Sequence, residues 1–313
     1  MLTTAPGIED APRAPAASPG PATCQWCGAR LGADAERLTG RTVCGRCAVA
    51  STDPPPTDAE LDRAYGAWYR PGTGRFWGPL DAALRRSRAA LAARIDEIAP
   101  PGPVLDVGAG DGTLVDALAA RGRDASGIER ESSAPRVSGA ELADLEGPYS
   151  AIVMWHSLEH LRRAGSQLDR AAELLAPGGV IVIAMPNAAS LQASVFGDRW
   201  LALDLPRHLV HVPAPALRER LARLGLRVER TSQLRGGQAV FGWLHGLVGT
   251  LPGRPDLYDA IRRPQARSAP LTAGRRALAL ATAAVLSPLA AAATLAEAAL
   301  GRGGSAYVEA RRD

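Results

Sequence analysis

Val104-Leu105-Asp106-Val107-Gly108-Ala109-Gly110-Asp111-Gly112 joins an apolar run to a cluster of glycines. Four residues of buried-strand character run into three glycines in five positions, and Leu114 to Arg121 then continues with helical spacing. Glycine at such a junction permits a tight turn and lets a ligand approach the backbone to van der Waals contact. The strand–loop–helix context is what separates a ligand loop from a chance cluster of glycines.

Working outward, the same alternation recurs. Ala125 to Glu129, Tyr149 to Trp155 and the run Val180 to Met185 read as strands, the last stopped by Pro186. Leu168 to Leu175 and Pro215 to Leu224 read as helices, followed by Gly225 as a C′ residue and a strand over Leu226 to Arg230. Strands alternating with helices imply an α/β fold, a Rossmann-like and mostly parallel sheet with helices on both faces.

The loop's charges narrow the ligand. A dinucleotide loop of the G-x-G-x-x-G type needs glycine at position 113, which is Thr113 here. Asp106, two residues before the first glycine, would repel a pyrophosphate and favour a cation. Glu129 ends the next strand, where a carboxylate accepts from both hydroxyls of a ribose. A ribose and a positive charge without a phosphate describe S-adenosylmethionine (SAM).

The segment VLDVGAGDGTLVDALAARGRDASGIER resembles the first motif of class I SAM-dependent methyltransferases. AIVMWHSLEHL is similar to their motif after the fourth strand, and LLAPGGVIVIAMPN to their fifth-strand motif. The subgroup most resembled contains ubiquinone-pathway O-methyltransferases and bacterial glycan and natural-product methyltransferases; RWLALDLPRHLVHVPAPAL also resembles a segment of it. The likeness covers residues 59–235. It implies an enzyme in which Asp106, Gly108, Ala109 and Gly110 cradle the methionine part of SAM and Glu129 holds the ribose. It further places Glu141 and Leu142 beside the adenine, and Trp155 and His156 along the methionine side. The chain departs from the family pattern at Ala140 and Ser150, where aspartate is common.

Methyl transfer to a hydroxyl requires alignment and a proton acceptor, a role suited to histidine. Of five histidines, His156 beyond the cofactor edge and His208 on the expected substrate side are the catalytic candidates; each could instead make only a structural hydrogen bond. His156 to His160 also spells the H-x-x-E-H of inverted zinc proteases, but it straddles a strand end and a helix start rather than lying on one helix. Glu159 is expected to satisfy N–H groups of that helix.

All four cysteines lie in one short stretch, Cys24-x-x-Cys27 and Cys44-x-x-Cys47, separated by sixteen residues. Two tight turns, each aiming two thiolates at one ion, complete a tetrahedral and structural zinc site. Disulfides or redox pairs are the competing readings. No secretory signal pattern precedes the cysteines, which fits a reducing, cytoplasmic setting, extending to the inner face of a membrane.

The division expected is a tail over 1–22, a zinc-binding module over 23–50, a stiff linker over 51–58 containing three consecutive prolines, and a helical lid over 59–98. The methyltransferase core follows over 99–235, an apolar helical insertion over 236–304 and a final strand over 305–313. The lid is read as helical with breaks at Pro71-Gly72 and Gly78-Pro79. Tyr65, Trp68, Tyr69, Phe76 and Trp77 concentrate there, forming either a helical core face or part of a cover over a ligand. Ala277 to Ala296 contains no charged residue. With Pro288 inside it, this run reads as a helical hairpin bent at that proline, packed on the domain or lying on a membrane surface.

At 313 residues with 46% hydrophobic content the chain can build a sizeable core, which excludes wholesale disorder. The net charge of +4 comes from a composition in which every basic residue other than histidine is arginine. Without clustering it does not argue for nucleic acid, so no nucleic-acid partner is expected. The function expected is methyl transfer from SAM to a small-molecule, sugar or lipid-linked acceptor at a hydroxyl, with peripheral membrane contact through 240–300. The alternatives are an NAD(P)-binding oxidoreductase and a non-catalytic SAM or zinc binding module.

Overall fold

The computed structural model describes residues 23–32, 35–66, 76, 78–233 and 236–313. The tail expected over 1–22 and the aromatics Trp68, Tyr69 and Trp77 lie outside these. Along the chain, β1 (Arg37–Leu38), β2 (Arg41–Val43) and β3 (Ala50–Thr52) come first, then helices α1 (Asp58–Ala64) and α2 (Gly78–Ile98). The alternating region follows: β4 (Val104–Val107), α3 (Thr113–Ala119), β5 (Ala125–Ile128), β6 (Val137–Ser138), β7 (Tyr149–Trp155), α4 (Ala164–Glu173) and β8 (Leu175–Pro186). Next come α5 (Leu191–Phe196), β9 (Val210–His211), α6 (Ala214–Arg223) and β10 (Leu226–Ser232). The chain ends with α7 (Gly236–Gly249), α8 (Leu257–Ile261), α9 (Ala273–Ala299) and β11 (Ser305–Arg312).

The main sheet has seven strands in the order β10-β11-β8-β7-β4-β5-β6. The pairs β4–β5, β5–β6, β4–β7 and β7–β8 are parallel, and only β11 runs against its neighbours β8 and β10. The chain winds outward from β4 through β5 and β6, then returns to the other side of β4 with β7 and β8. The carboxyl ends of β4 and β7 therefore flank the switch point, where ligands of open α/β sheets bind. Alternate side chains serve opposite faces. Ile152, Met154, Ile181 and Ile183 enter one buried cluster, while Ala151, Val153, Val180 and Val182 enter another with Leu91 and Ile95 of α2 and Leu118 of α3. Both faces are covered, which explains strands that are apolar on both sides.

Three expectations require correction. Ser51 and Thr52 do not belong to a linker; they are buried in β3, which pairs antiparallel with β9 and completes a second sheet, β1-β2-β3-β9. The cysteine segment shares the main core, with Cys24, Trp26, Cys44 and Val49 in the cluster that holds Leu168 and Leu217. Gly78-Pro79, where a helix break is expected, is where α2 starts, in line with the tolerance of proline for the first helical turn; the break expected at Pro71-Gly72 lies outside the described residues. Finally, the run around Pro288 is one uninterrupted helix, α9. Proline at 288 leaves the Ala284 carbonyl without its helical N–H, and the Ser287 hydroxyl donates to that oxygen at 2.6 Å instead. The final strand extends to Arg312 and inserts between β8 and β10, as its apolar alternation requires.

Candidate active site

The glycine loop leaves β4 at Val107 and enters α3 at Thr113. The N–H groups of Gly108 and Ala109 donate to the Ile128 carbonyl at 2.8 and 3.1 Å, which ties the loop to the end of β5. Gly108 has φ +80°, and a Cβ there would lie 2.4 Å from Cβ of Ser157. That position excludes every residue but glycine, because the loop presses against the turn that follows β7. Glu129, immediately after β5, accepts from the Gly110 N–H at 2.9 Å through Oε2 and from the Arg130 N–H at 3.1 Å through Oε1. The sequence pair of loop and downstream acid is thus a physical pair.

Asp106 is buried, and its Oδ1 has no hydrogen-bond partner among the described residues. Burial pushes its carboxyl up to about 7, with the Arg88 guanidinium opposing and Glu129 and Asp111 adding to the rise. A carboxylate so placed gains from an incoming cation, which would draw it to its ionised form. Ala109 is buried with the loop, and Leu142 is buried at the start of the single turn Leu142–Asp144. Glu141, the residue before that turn, is exposed and caps nothing with its side chain.

Trp155 closes β7, edge-to-face with Tyr307 at 6.2 Å, with the Arg88 guanidinium 5.1 Å over its ring. His156 follows in a left-handed backbone conformation, φ +53°. Its Nδ1 lies 3.4 Å from Glu159 Oε1, and its buried Nε2 has no partner among the described residues. Glu159 is not a helix cap as expected: it is buried, its second oxygen has no partner among the described residues, and it faces imidazoles. Burial would raise its carboxyl, yet the contact with His156 and the surrounding histidine ring field bring it down to about 2. The segment forms a strand end followed by the single turn Leu158–His160, so the two protease-like histidines do not share a helix face.

His208 is buried, with Nδ1 2.8 Å from the Ala202 carbonyl oxygen and its ring 4.6 Å from that of His160. His160 in turn contacts the Tyr65 hydroxyl at 2.8 Å and the Arg207 carbonyl at 3.1 Å through Nδ1. Burial lowers His160 to about 4, with the nearby His208 acting in the same direction, so its ring is neutral at physiological pH. Glu159, His160 and His208 offer ligand atoms within 4.8 Å of one another, a group able to hold a metal ion. The structure thus gathers both candidate bases, His156 and His208, around one buried acid. Sequence reading did not assign site roles to Glu159, Arg88 or Tyr307, since each reaches this place through tertiary contacts.

Cys24, Cys27, Cys44 and Cys47 are free thiols whose sulfurs also lie within 4.8 Å of one another. Cys24 and Cys47 are 3.6 Å apart, as are Cys27 and Cys44. Tetrahedral zinc with 2.3 Å bonds to sulfur requires separations of about 3.8 Å, so the four donors fit such an ion.

A family model described as a methyltransferase domain matches residues 76–231. The ubiquinone biosynthesis O-methyltransferase of Alkalilimnicola ehrlichii is 28% identical over 124 residues, covering 33% of this chain and 50% of that protein. The enzyme of the same name from Xylella fastidiosa strain 9a5c is 28% identical over 174 residues, covering 48% of this chain and 68% of that one. The chain thus spans about half the length of the first of these relatives. Among solved structures, a SAM dependent methyltransferase from Archaeoglobus fulgidus superposes with a TM-score of 0.43 and 17% identity over 72% of this chain and 94% of that chain. Residues 76–231, set in a mostly parallel α/β sheet, are a methyltransferase domain of the class I SAM-dependent type.

Proposed function

We propose that the chain transfers the methyl group of SAM to a hydroxyl of a small-molecule acceptor, a sugar or a lipid-linked compound being the classes in view. The observation that carries this reading is Asp106: a buried carboxylate with an unpartnered oxygen, beneath a glycine loop whose Gly110 N–H is bound by Glu129. When bound, SAM supplies an electrophilic methyl on a positively charged sulfur. Asp106 would hold the cationic amino-acid end, Glu129 the ribose, and the loop backbone at Gly108, Ala109 and Gly110 the space between. Leu142 and Glu141 would flank the adenine, and Trp155 would wall the methionine side.

The chemistry left to the protein is alignment and proton acceptance. His156 is suited to the second task. Glu159 beside Nδ1 favours the tautomer that leaves Nε2 as the acceptor, an arrangement of base and orienting acid. His208 stands within the same buried group and would support Glu159 and His160. The four cysteines would hold a structural zinc ion, which supplies a cross-link between the two turns and leaves no open coordination position.

Calorimetric titration with SAM and with NAD tests the cofactor. Heat with SAM alone is expected, abolished or strongly reduced by Glu129→Ala; binding of NAD in preference to SAM would overturn the reading. A panel of hydroxylated acceptors, scored for S-adenosylhomocysteine release, tests the transfer.

A further inference from the structure

α9 spans 27 residues, about 40 Å. One side packs on α7 and α8, burying Ala279, Ala283, Ala290 and Thr294. Its only acid, Glu297, is also turned inward. That carboxylate accepts from Gln192 Nε2 at 2.9 Å, from Trp243 Nε1 at 3.1 Å and from the Gln192 backbone N–H at 3.3 Å. The outer side carries Leu278, Val285, Leu289 and Leu295 among alanines, with Val285 78% and Leu295 70% exposed.

This pattern inverts that of a surface helix on a soluble domain, whose outer face is polar. α9 is long and apolar enough to cross a membrane by length and composition, yet only 17% of its most apolar window is buried in the protein. Both ends are fastened to the same body. Arg275 and Arg276 donate to the carbonyls of Gly253 and Ala260 at 2.8 and 2.9 Å, and beyond the helix Arg302 donates to the Ser194 hydroxyl at 2.7 Å before β11 enters the sheet. A helix held along its length against α7 and at both ends lies on a surface rather than passing through one.

Charge names the surface. Residues 254–276 contain six arginines, at 254, 262, 263, 267, 275 and 276, against two acids, Asp256 and Asp259; Arg262 and Asp259 are buried beside each other, which leaves five arginines and one acid for the surface. The net charge of this segment equals the +4 of the whole chain. It runs into the first turn of α9, ahead of the uncharged stretch from Ala277 to Ala296, and Arg254 and Arg275 are exposed. An apolar face bordered by arginine suits the boundary between anionic headgroups and acyl chains.

We propose that α9 docks in the plane of an anionic lipid bilayer, with Val285, Leu289 and Leu295 in the acyl boundary and the exposed Arg254 and Arg275 at the headgroups. The proposal is independent of the catalytic reading, because it concerns a face whose test needs no turnover. The full chain would be sedimented with vesicles of phosphatidylcholine alone and of phosphatidylcholine with phosphatidylglycerol. Binding is expected to the second, weakening with salt, and to fall at least tenfold in Val285→Glu/Leu289→Glu/Leu295→Glu. These positions are exposed, so the variant should keep its melting temperature and SAM affinity. Equal pelleting of the variant, or equal binding to both vesicle types, would overturn the proposal. So would absence of vesicle binding together with a dimer that the variant converts to monomer, which would make the face a contact between two copies.

Discussion

The Thr52 hydroxyl donates to the His208 carbonyl at 2.6 Å, joining the last residue of β3 to a candidate base 156 positions later. The same threonine donates its N–H to the Leu209 carbonyl at 3.0 Å, and the Leu209 N–H donates to the Glu159 carbonyl at 2.8 Å. Hydrogen bonds therefore link β3, which follows the cysteines, through Leu209 to the backbone of the acid beside His156. Replacing Thr52 with valine leaves a buried carbonyl without its partner, at a cost of about 1–3 kcal/mol. The expected result is a lower melting temperature and a higher acceptor KM with SAM affinity unchanged. An unaltered melting curve would contradict the importance given to this contact.

Metal removal should reach beyond the cysteines. Because β3 pairs with β9 and Trp26 packs in the main core, with the Arg220 guanidinium donating to its carbonyl at 2.6 Å, loss of the ion loosens the main domain's edge. Metal analysis is expected to find about one zinc per chain under the four-thiolate reading, and none in Cys24→Ser. The same variant should melt earlier in a transition shared with the whole domain. A metal-free wild type, or a variant that keeps its ion, would refute the site.

The Asp106 carboxyl, raised to about 7 by burial, gives SAM binding a pH dependence. Its ionised form is the one a cation stabilises, so affinity should increase as pH rises through 7 and level off above. Below the midpoint the slope approaches about tenfold per pH unit for one linked proton. Asp106→Asn should bind more weakly and without this slope. In the free protein the sign for stability is opposite: a carboxyl raised above its unfolded value of 3.8 lowers stability as pH climbs from about 4 to 7.

His156→Gln is expected to reduce kcat by about 10²- to 10⁴-fold, the usual range for a general base, with SAM affinity retained. Glu159→Gln should reduce it less and shift the pH profile of kcat, because the imidazole loses the anion beside Nδ1. Steady-state rates across pH for both variants check this. A His156→Gln enzyme with full kcat would remove the residue from catalysis.

Gly108→Ala should abolish SAM binding or folding, since its Cβ would lie 2.4 Å from that of Ser157 and its φ of +80° suits glycine. Adding Ser157→Gly removes the clash but not the backbone strain. Partial recovery of SAM affinity in the double variant, measured by calorimetry, is the expected outcome; no recovery would mean that backbone conformation alone sets the requirement.

Local pattern accounts for one part of this structure. The two-sided apolar runs at Val104–Val107 and Val180–Met185, the helical spacing after the glycines, and the paired C-x-x-C turns each follow from neighbours a few residues apart. These fixed the sheet class, the loop with its two acids, and the cysteine cluster. Tertiary structure decided what depends on distant partners. β3 and β9 have three and two residues, too short to carry a period, so their pairing and the incorporation of residues 51–52 were not legible. Nor was the role of Glu159, since only folding brings it beside His156 with no helix N–H to cap. In α9 the sequence showed an uncharged run, but which side faces water depends on Glu297 finding Gln192 and Trp243, contacts 105 and 54 residues away along the chain. Periodicity encodes how a segment folds on itself; packing between segments decides which of its faces is left for other molecules.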